Sequence, residues 1–329
     1  MGRRDEIERV PAATQPLPVD VGSSGATIGV GVQERVLSTR QLAWRRFRRH
    51  KPAIVSAIVL IIIGLACLLV TVNILGFRLS HYTFRGQNLF VIRHSPSANH
   101  LFGTDQLGRD LFTRVLYGGR ISLMVGVTVA ASAGIIGAVV GAVAGYYGGT
   151  IDNLLMRVTD LFLAIPFLVV LLIGEKLLDK LLPNQSILNT VLILTLFFWM
   201  PDARIVRGVY LSLKEKEFVE AAKASGASDT RIMFYHMLPN AMGPIIVNAT
   251  LLVAAAILTE SALSFLGFGV QPPTPTWGNL LSDSRGFITT DPYLIWFPGL
   301  AILITVLAVN FLGDALRDAL DPHQRLGPE

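Results

Sequence analysis

EFVEAAKASGASDTRIMFYHMLPN, running from Glu217 to Asn240, is a charged island between two oily stretches. Good helix formers extend from Leu211 to Ala224, Gly226 lets the backbone reverse without a Cβ clash, and a second helical stretch over Asp229–Met237 meets Pro239 as a stop. Ser228 stands where an N-cap for that second helix belongs. Small Ala221 and Ala222 let another surface come close, and Glu220 supplies one placed charge. The pattern predicts a water-exposed helix, turn and helix. Charge and helicity alone also fit an ordinary solvated loop, so the meaning of the island depends on what flanks it.

The flanks have membrane composition. The 329 residues are 52% apolar and 16% charged, with a mean hydropathy of +0.54, which overrides a soluble two-domain reading of the length. A helix spanning a bilayer core needs roughly 20 apolar residues, because unpaired backbone groups are costly in lipid. Such runs are Ala53–Leu75, Ile121–Gly145, Leu154–Gly174, Ile187–Ala203, Ile245–Phe268 and Leu294–Gly313. The second is dense in Gly and Ala and predicts a helix that packs closely against others. The third contains Pro166, and the fourth is short and interrupted near its end by Pro201. Net charge is +5, but the Lys and Arg residues flank apolar runs instead of forming one basic face, which argues against nucleic acid. The single cysteine, Cys67, lies inside an apolar run and reads as packing.

Arg45, Arg46, Arg48, Arg49 and Lys51 precede the first run and favour the cytoplasmic leaflet. Six crossings then put both termini and the loop after Ala203 in the cytoplasm, although Arg78, Arg85, Arg93, Arg109, Arg114 and Arg120 in the first external loop weaken the bias. Leu107, Leu111, Val115 and Leu116 recur at helical spacing in that loop and predict an interfacial helix. The expected division is a disordered cytoplasmic tail over 1–38, a basic segment with the first span over 39–75 and an extracytoplasmic loop over 76–120. A core of five spans follows over 121–318, including the 204–240 loop, with a cytoplasmic tail over 319–329.

Glu220-Ala221-Ala222, then Gly226, then Leu238-Pro239 resemble the EAA loop of membrane subunits of bacterial ATP-binding-cassette importers. HLFGTDQLGRDLFTRVLYGGRISLMVG, His100–Gly126, and ESALSFLGFGVQPPTPTWGNLL, Glu260–Leu281, closely resemble segments of the C-type subunit of dipeptide and oligopeptide importers, a family with a nickel-importing branch. The resemblance covers nearly everything from Arg45 onward except the Phe77–Asn99 insert. At His236 the broad superfamily pattern has an apolar residue. The resemblance implies an all-α membrane protein, with six transmembrane helices in the type I ABC importer permease fold and a cytoplasmic coupling helix. Glu220, Ala221, Ala222, Gly226, Leu238 and Pro239 are then the ATPase-coupling residues. It also implies a plasma-membrane location, a homologous B-type permease subunit, two ATPase domains that bind ATP and Mg, and an extracytoplasmic peptide-binding protein. A nickel or other small-solute importer permease is the near alternative. An ion-coupled secondary transporter is the distant one, since midplane ionisable residues and repeated halves are not evident.

No G-x-x-x-x-G-K-[ST] phosphate cradle occurs, and no paired-carboxylate, Ser/His/Asp or Cys/His set has motif support, so the chain reads as no enzyme and as binding no cofactor or metal of its own. Asn248 and Glu260 on the fifth run are candidates for a polar translocation path, with Glu260 near the outer end, in reach of water or the following loop. Asp160 is expected to pair with Arg157, and Asp105 with Arg109 on one helical face. Trp277 suits a membrane interface. His81, His94 and His100 are too irregularly spaced to read as metal ligands and are expected to be solvated.

Overall fold

Apolar helices dominate the structure, a computed structural model that describes residues 45–48, 50–70 and 79–320. The expected 1–38 tail, most of the 319–329 tail and the end of the first span beyond Val70 lie outside the described residues. In chain order the helices are α1 (Lys51–Leu69), α2 (Leu111–Tyr147), α3 (Gly149–Leu163), α4 (Phe167–Leu181), α5 (Ser186–Lys214), α6 (Glu217–Ala224), α7 (Asp229–Phe265), α8 (Trp277–Ser284) and α9 (Tyr293–Leu320). Helices α1, α2, α5, α7 and α9 are each long and apolar enough to cross a membrane. The third apolar run is not one straight helix: α3 and α4 meet at 87°. Pro166 causes the break, because it lacks an N–H, its ring clashes with the preceding turn, and it pushes Ile165 out of helical geometry.

Helix α2 packs against α5 and α7, α7 against α9, and α9 against α1. The α2–α5 contact is made by a glycine every fourth residue. An added Cβ at Gly137 would lie 2.5 Å from Asp202 Cβ, at Gly141 2.4 Å from the Ala203 carbonyl oxygen, and at Gly145 2.6 Å from Tyr210 Cβ. The two backbones touch along three turns because these side chains are missing, as the small-residue density of this run predicts.

Three helices outrun their expected limits. Helix α2 begins at Leu111, capped by Asp110 accepting from the Thr113 N–H at 2.8 Å, so the expected interfacial helix and the second span are one element and the 76–120 boundary dissolves. Helix α5 passes through Pro201 and ends only at Lys214, so the first part of the 204–240 segment is helical stem. Helix α7 starts at Asp229 and runs through Pro239 instead of stopping there. It does so by widening into a π turn over Ile232–Met237, where the Leu238 N–H bonds the Met233 carbonyl five residues back, and this loosened turn precedes the proline ring. Ser228 occupies the N-cap position but makes no capping hydrogen bond.

Candidate functional site

The Glu217–Asn240 island folds as an anchored knuckle between two long helices. Helix α6 is eight residues, too short to persist by itself in water. It is pinned by Val219, which is fully buried in a core with Ala142 and Tyr146 of α2, Tyr210 of α5, and Ile232 and Met237 of α7. Two tyrosines tie the same spot: Tyr146 Oη donates to Asp229 Oδ1 at 2.7 Å, and Tyr210 Oη donates to the Met233 carbonyl at 3.0 Å. That carbonyl belongs to the π turn, so the widened turn is buttressed from α5. Lys214 and Lys223 each hold their Nζ 5.9 Å from the Tyr146 ring.

Helix α6 closes with paired hydrogen bonds that only a left-handed residue permits. The Gly226 N–H donates to the Lys223 carbonyl at 2.9 Å and the Ala227 N–H to the Ala222 carbonyl at 3.1 Å, with Gly226 at φ +76°. This is a Schellman cap, and Ala222 and Ala227, both half-buried on the core side, make its apolar contact. Glu220 and Ala221 face outward, and the Glu220 carboxylate makes no hydrogen bond or ion pair with the described residues. Leu238 and Pro239 belong to α7 beyond the π turn, not to the exposed face of α6.

The remaining predicted residues lie elsewhere. Asn248 Nδ2 donates to Asp202 Oδ1, joining α7 to α5 beside the glycine seam. It also lines a cavity of about 470 Å³ with Ile205, Pro244, Val247, Leu251 and Arg317. Glu260 does not reach water. It is fully enclosed, accepting from Ser122 Oγ of α2 at 2.9 Å and from Ser264 Oγ at 2.7 Å, and so fastens α2 to α7. Asp160 pairs with Arg204 of α5 and not with Arg157, because the helix crossing brings a cation closer than the next turn does.

At the end of the bundle away from α6, Asp105 and Arg109 pair at 2.6 Å as expected, but on a turn and within a larger cluster. Arg114 also contacts Asp105, and both guanidinium groups approach Asp283 of α8, at 3.8 and 3.6 Å. Burial pushes the Asp283 carboxyl above its ordinary value, against the opposing pull of Arg114 and Arg109. Trp277 is core, not interface: it is 1% exposed and its Nε1 donates to the Val115 carbonyl at 2.9 Å. His100 is not simply solvated, since its Nδ1 lies 2.9 Å from Asp110 Oδ1.

Sequence reasoning passed over Val219, Tyr146, Tyr210 and Asp202. A pair of apolar residues, Phe218 and Val219, in a helix otherwise of charged and small residues was the available sign of Val219. The other three are brought to their partners, Asp229, Met233 and Asn248, only when α7 packs against α2 and α5.

Residues 137–326 match the family of binding-protein-dependent transport system inner membrane components. Residues 38–96 match the N-terminal transmembrane domain of oligopeptide transport permease C, so the Phe77–Asn99 insert, expected outside the likeness, falls inside it as far as Pro96. The chain is 41% identical over 293 residues to a dipeptide transport system permease protein of Alkalihalophilus pseudofirmus, covering 89% of this chain and 93% of the relative. An oligopeptide transport system permease protein of Bacillus subtilis is 39% identical over 294 residues, with the same coverage of each. A glutathione transport system permease protein of Escherichia coli is 41% identical over 282 residues, 85% of this chain and 89% of the relative.

Proposed function

The chain belongs to the family of binding-protein-dependent transport system inner membrane components, and from that premise we propose that it is the permease subunit of an ATP-driven importer of di- and oligopeptides. It is a multi-pass inner-membrane protein of the type I ABC importer permease fold. The observation that carries the peptide reading is near-full-length identity of about two residues in five to permeases named for dipeptides and oligopeptides. The partners in this reading are a homologous B-type permease subunit, two ATPase domains that bind ATP and Mg, and an extracytoplasmic peptide-binding protein. Both termini and α6 face the cytoplasm.

The geometry suggests how force enters. Glu220 and Ala221 present an unpartnered carboxylate on a small-residue surface, suited to a groove in an ATPase subunit. Movement of α6 is felt at once by α2, α5 and α7, because Val219, Tyr146 and Tyr210 leave it no independent seat. Closure of the ATPase pair then reorients the spans from inward-facing to outward-facing. The largely apolar cavity beside α7 offers the path two polar side chains, Asn248 and the cationic Arg317, whereas Glu260 acts as a fastening between helices.

Proteoliposomes holding the complete complex test this reading. Uptake of labelled di- and oligopeptides that needs both ATP and the binding protein is expected, and nickel uptake without peptide uptake would overturn the substrate assignment. A purified complex that contains no ATPase subunit and still moves solute would overturn the energy source.

A further inference from the structure

Where α4 meets the start of α5, a carboxylate lies outside the coupling scheme. Glu175 of α4 is fully enclosed, and its Oε1 accepts from Thr190 Oγ1 at 2.8 Å while its Oε2 has no donor. The neighbouring Asn189, also fully enclosed, donates through Nδ2 to Asp179 Oδ1 at 3.0 Å and to the Leu182 carbonyl at 3.2 Å, and its Oδ1 likewise has no donor. The two orphan acceptor oxygens belong to linked side chains: Thr190, which holds Glu175, follows Asn189 in the chain, and Asp179, which holds Asn189, lies one turn from Glu175 on α4. Buried polar atoms are ordinarily paired, so a missing hydrogen is the simplest account of both.

The surroundings give an ionised Glu175 no counter-charge. Among the described residues it forms no ion pair. From α5 the neutral Thr190 bonds to it, with the neutral Asn189 next in the chain, and the acidic neighbour one turn along α4 is Asp179, a like charge. Lys176 is exposed, with its Nζ 5.8 Å from the Phe268 ring. The same core receives Ile121, Val125 and Val129 from α2 and Leu263 from α7, and the carboxylate of α7, Glu260, is taken up by Ser122 and Ser264. An unpaired carboxylate in such a setting takes up a proton instead of remaining charged.

We propose that Glu175 is a proton-binding site of this transporter, carried as the neutral acid with its Oε2 hydroxyl donating to the Asn189 amide oxygen. One proton then serves both orphan acceptors. Its release to solvent leaves a bare charge beside Asp179 in an apolar joint, which parts α4 from α5 and makes transport fall at alkaline pH.

The test uses the whole complex in lipid vesicles, and its spectral arm does not depend on the identity of the cargo. At neutral pH the infrared spectrum is expected to contain the carbonyl stretch of a protonated carboxyl that Glu175→Gln removes and Asn189→Leu shifts. Glu175→Gln keeps the shape but cannot ionise, so it is expected to transport as wild type at neutral pH and to lose the alkaline decline. A spectrum unchanged by Glu175→Gln overturns the proposal, as does a sodium-dependent disappearance of the band, which would make the occupant a cation. Identical pH profiles of transport in wild type and Glu175→Gln also overturn it. Should the Gln variant fail to accumulate, an unshifted band in Asn189→Leu overturns the proposal in its place.

Discussion

Replacing Gly226 with alanine separates backbone geometry from contact at the knuckle. The residue holds φ +76°, and an added Cβ would meet nothing within 4 Å, so the whole effect is the strain of a left-handed L-residue, roughly 1–2 kcal/mol. Helix α6 has little to oppose that cost. Its principal anchor is Val219, and burying a valine contributes about 1.5–3 kcal/mol. The Schellman bonds from Gly226 and Ala227 would therefore open more often, by a factor of about 5–30. Hydrogen exchange followed by mass spectrometry, on the peptide spanning Glu217 to Ala227 in the reconstituted complex, should show acceleration of that order with the spans unchanged. ATP-dependent uptake should fall alongside. Gly226→Asn, which tolerates the left-handed region, should recover most of both. Exchange in Gly226→Ala equal to wild type would refute the cap, and equal damage from Asn and Ala would show that contact, not φ, sets the requirement.

Gly141→Ala should lower the melting temperature, because overpacking the 2.4 Å approach to the Ala203 carbonyl costs about 1–3 kcal/mol, whereas Gly208→Ala, with nothing within 4 Å, should leave it unchanged or raised. A melt insensitive to Gly141→Ala would disprove close approach of α2 and α5. Val219→Ala removes two buried methyl groups, about 2 kcal/mol, and should weaken coupling of ATP hydrolysis to uptake while membrane insertion stays intact. Unaltered coupling in that variant would count against the anchor. Asp105→Asn leaves Arg109 and Arg114 to share the more distant Asp283 and should destabilise by about 3–5 kcal/mol in a denaturation assay; a loss under about 1 kcal/mol, as for an exposed pair, would contradict the buried cluster.

The spans were legible because apolar length is a one-dimensional property, and so was the glycine seam, since a small residue every fourth position marks one helix face. Helix ends were less legible. Pro201 and Pro239 look like stops, yet α5 and α7 continue through them, because neighbouring helices and a π turn absorb what proline removes from the ladder. Pro166 did break its helix, and local sequence does not separate the three cases. At the site, Glu220, Ala221 and Gly226 were readable from spacing, whereas the partners that hold them are far away in the chain: Tyr146, Tyr210 and Met233 meet only after α2, α5 and α7 pack. Asp160 shows the same limit, since a one-turn rule points to Arg157 and the folded chain supplies Arg204 from 44 residues away.

Helices α5, α7 and α9 each carry an interior proline, and the α3–α4 pair is bent, but α2 runs 37 residues without one. Its Arg114 is clasped by Asp105 at one end, and its Tyr146 lies under α6 at the other, about 48 Å away along a rise of about 1.5 Å per residue. Helix α1 also has no interior proline but is only 19 residues, so α2 is the long stiff connecting rod among the described helices. A displacement applied at the knuckle reaches the opposite face through α2 undiminished in length, while the jointed helices take up the difference by flexing around it.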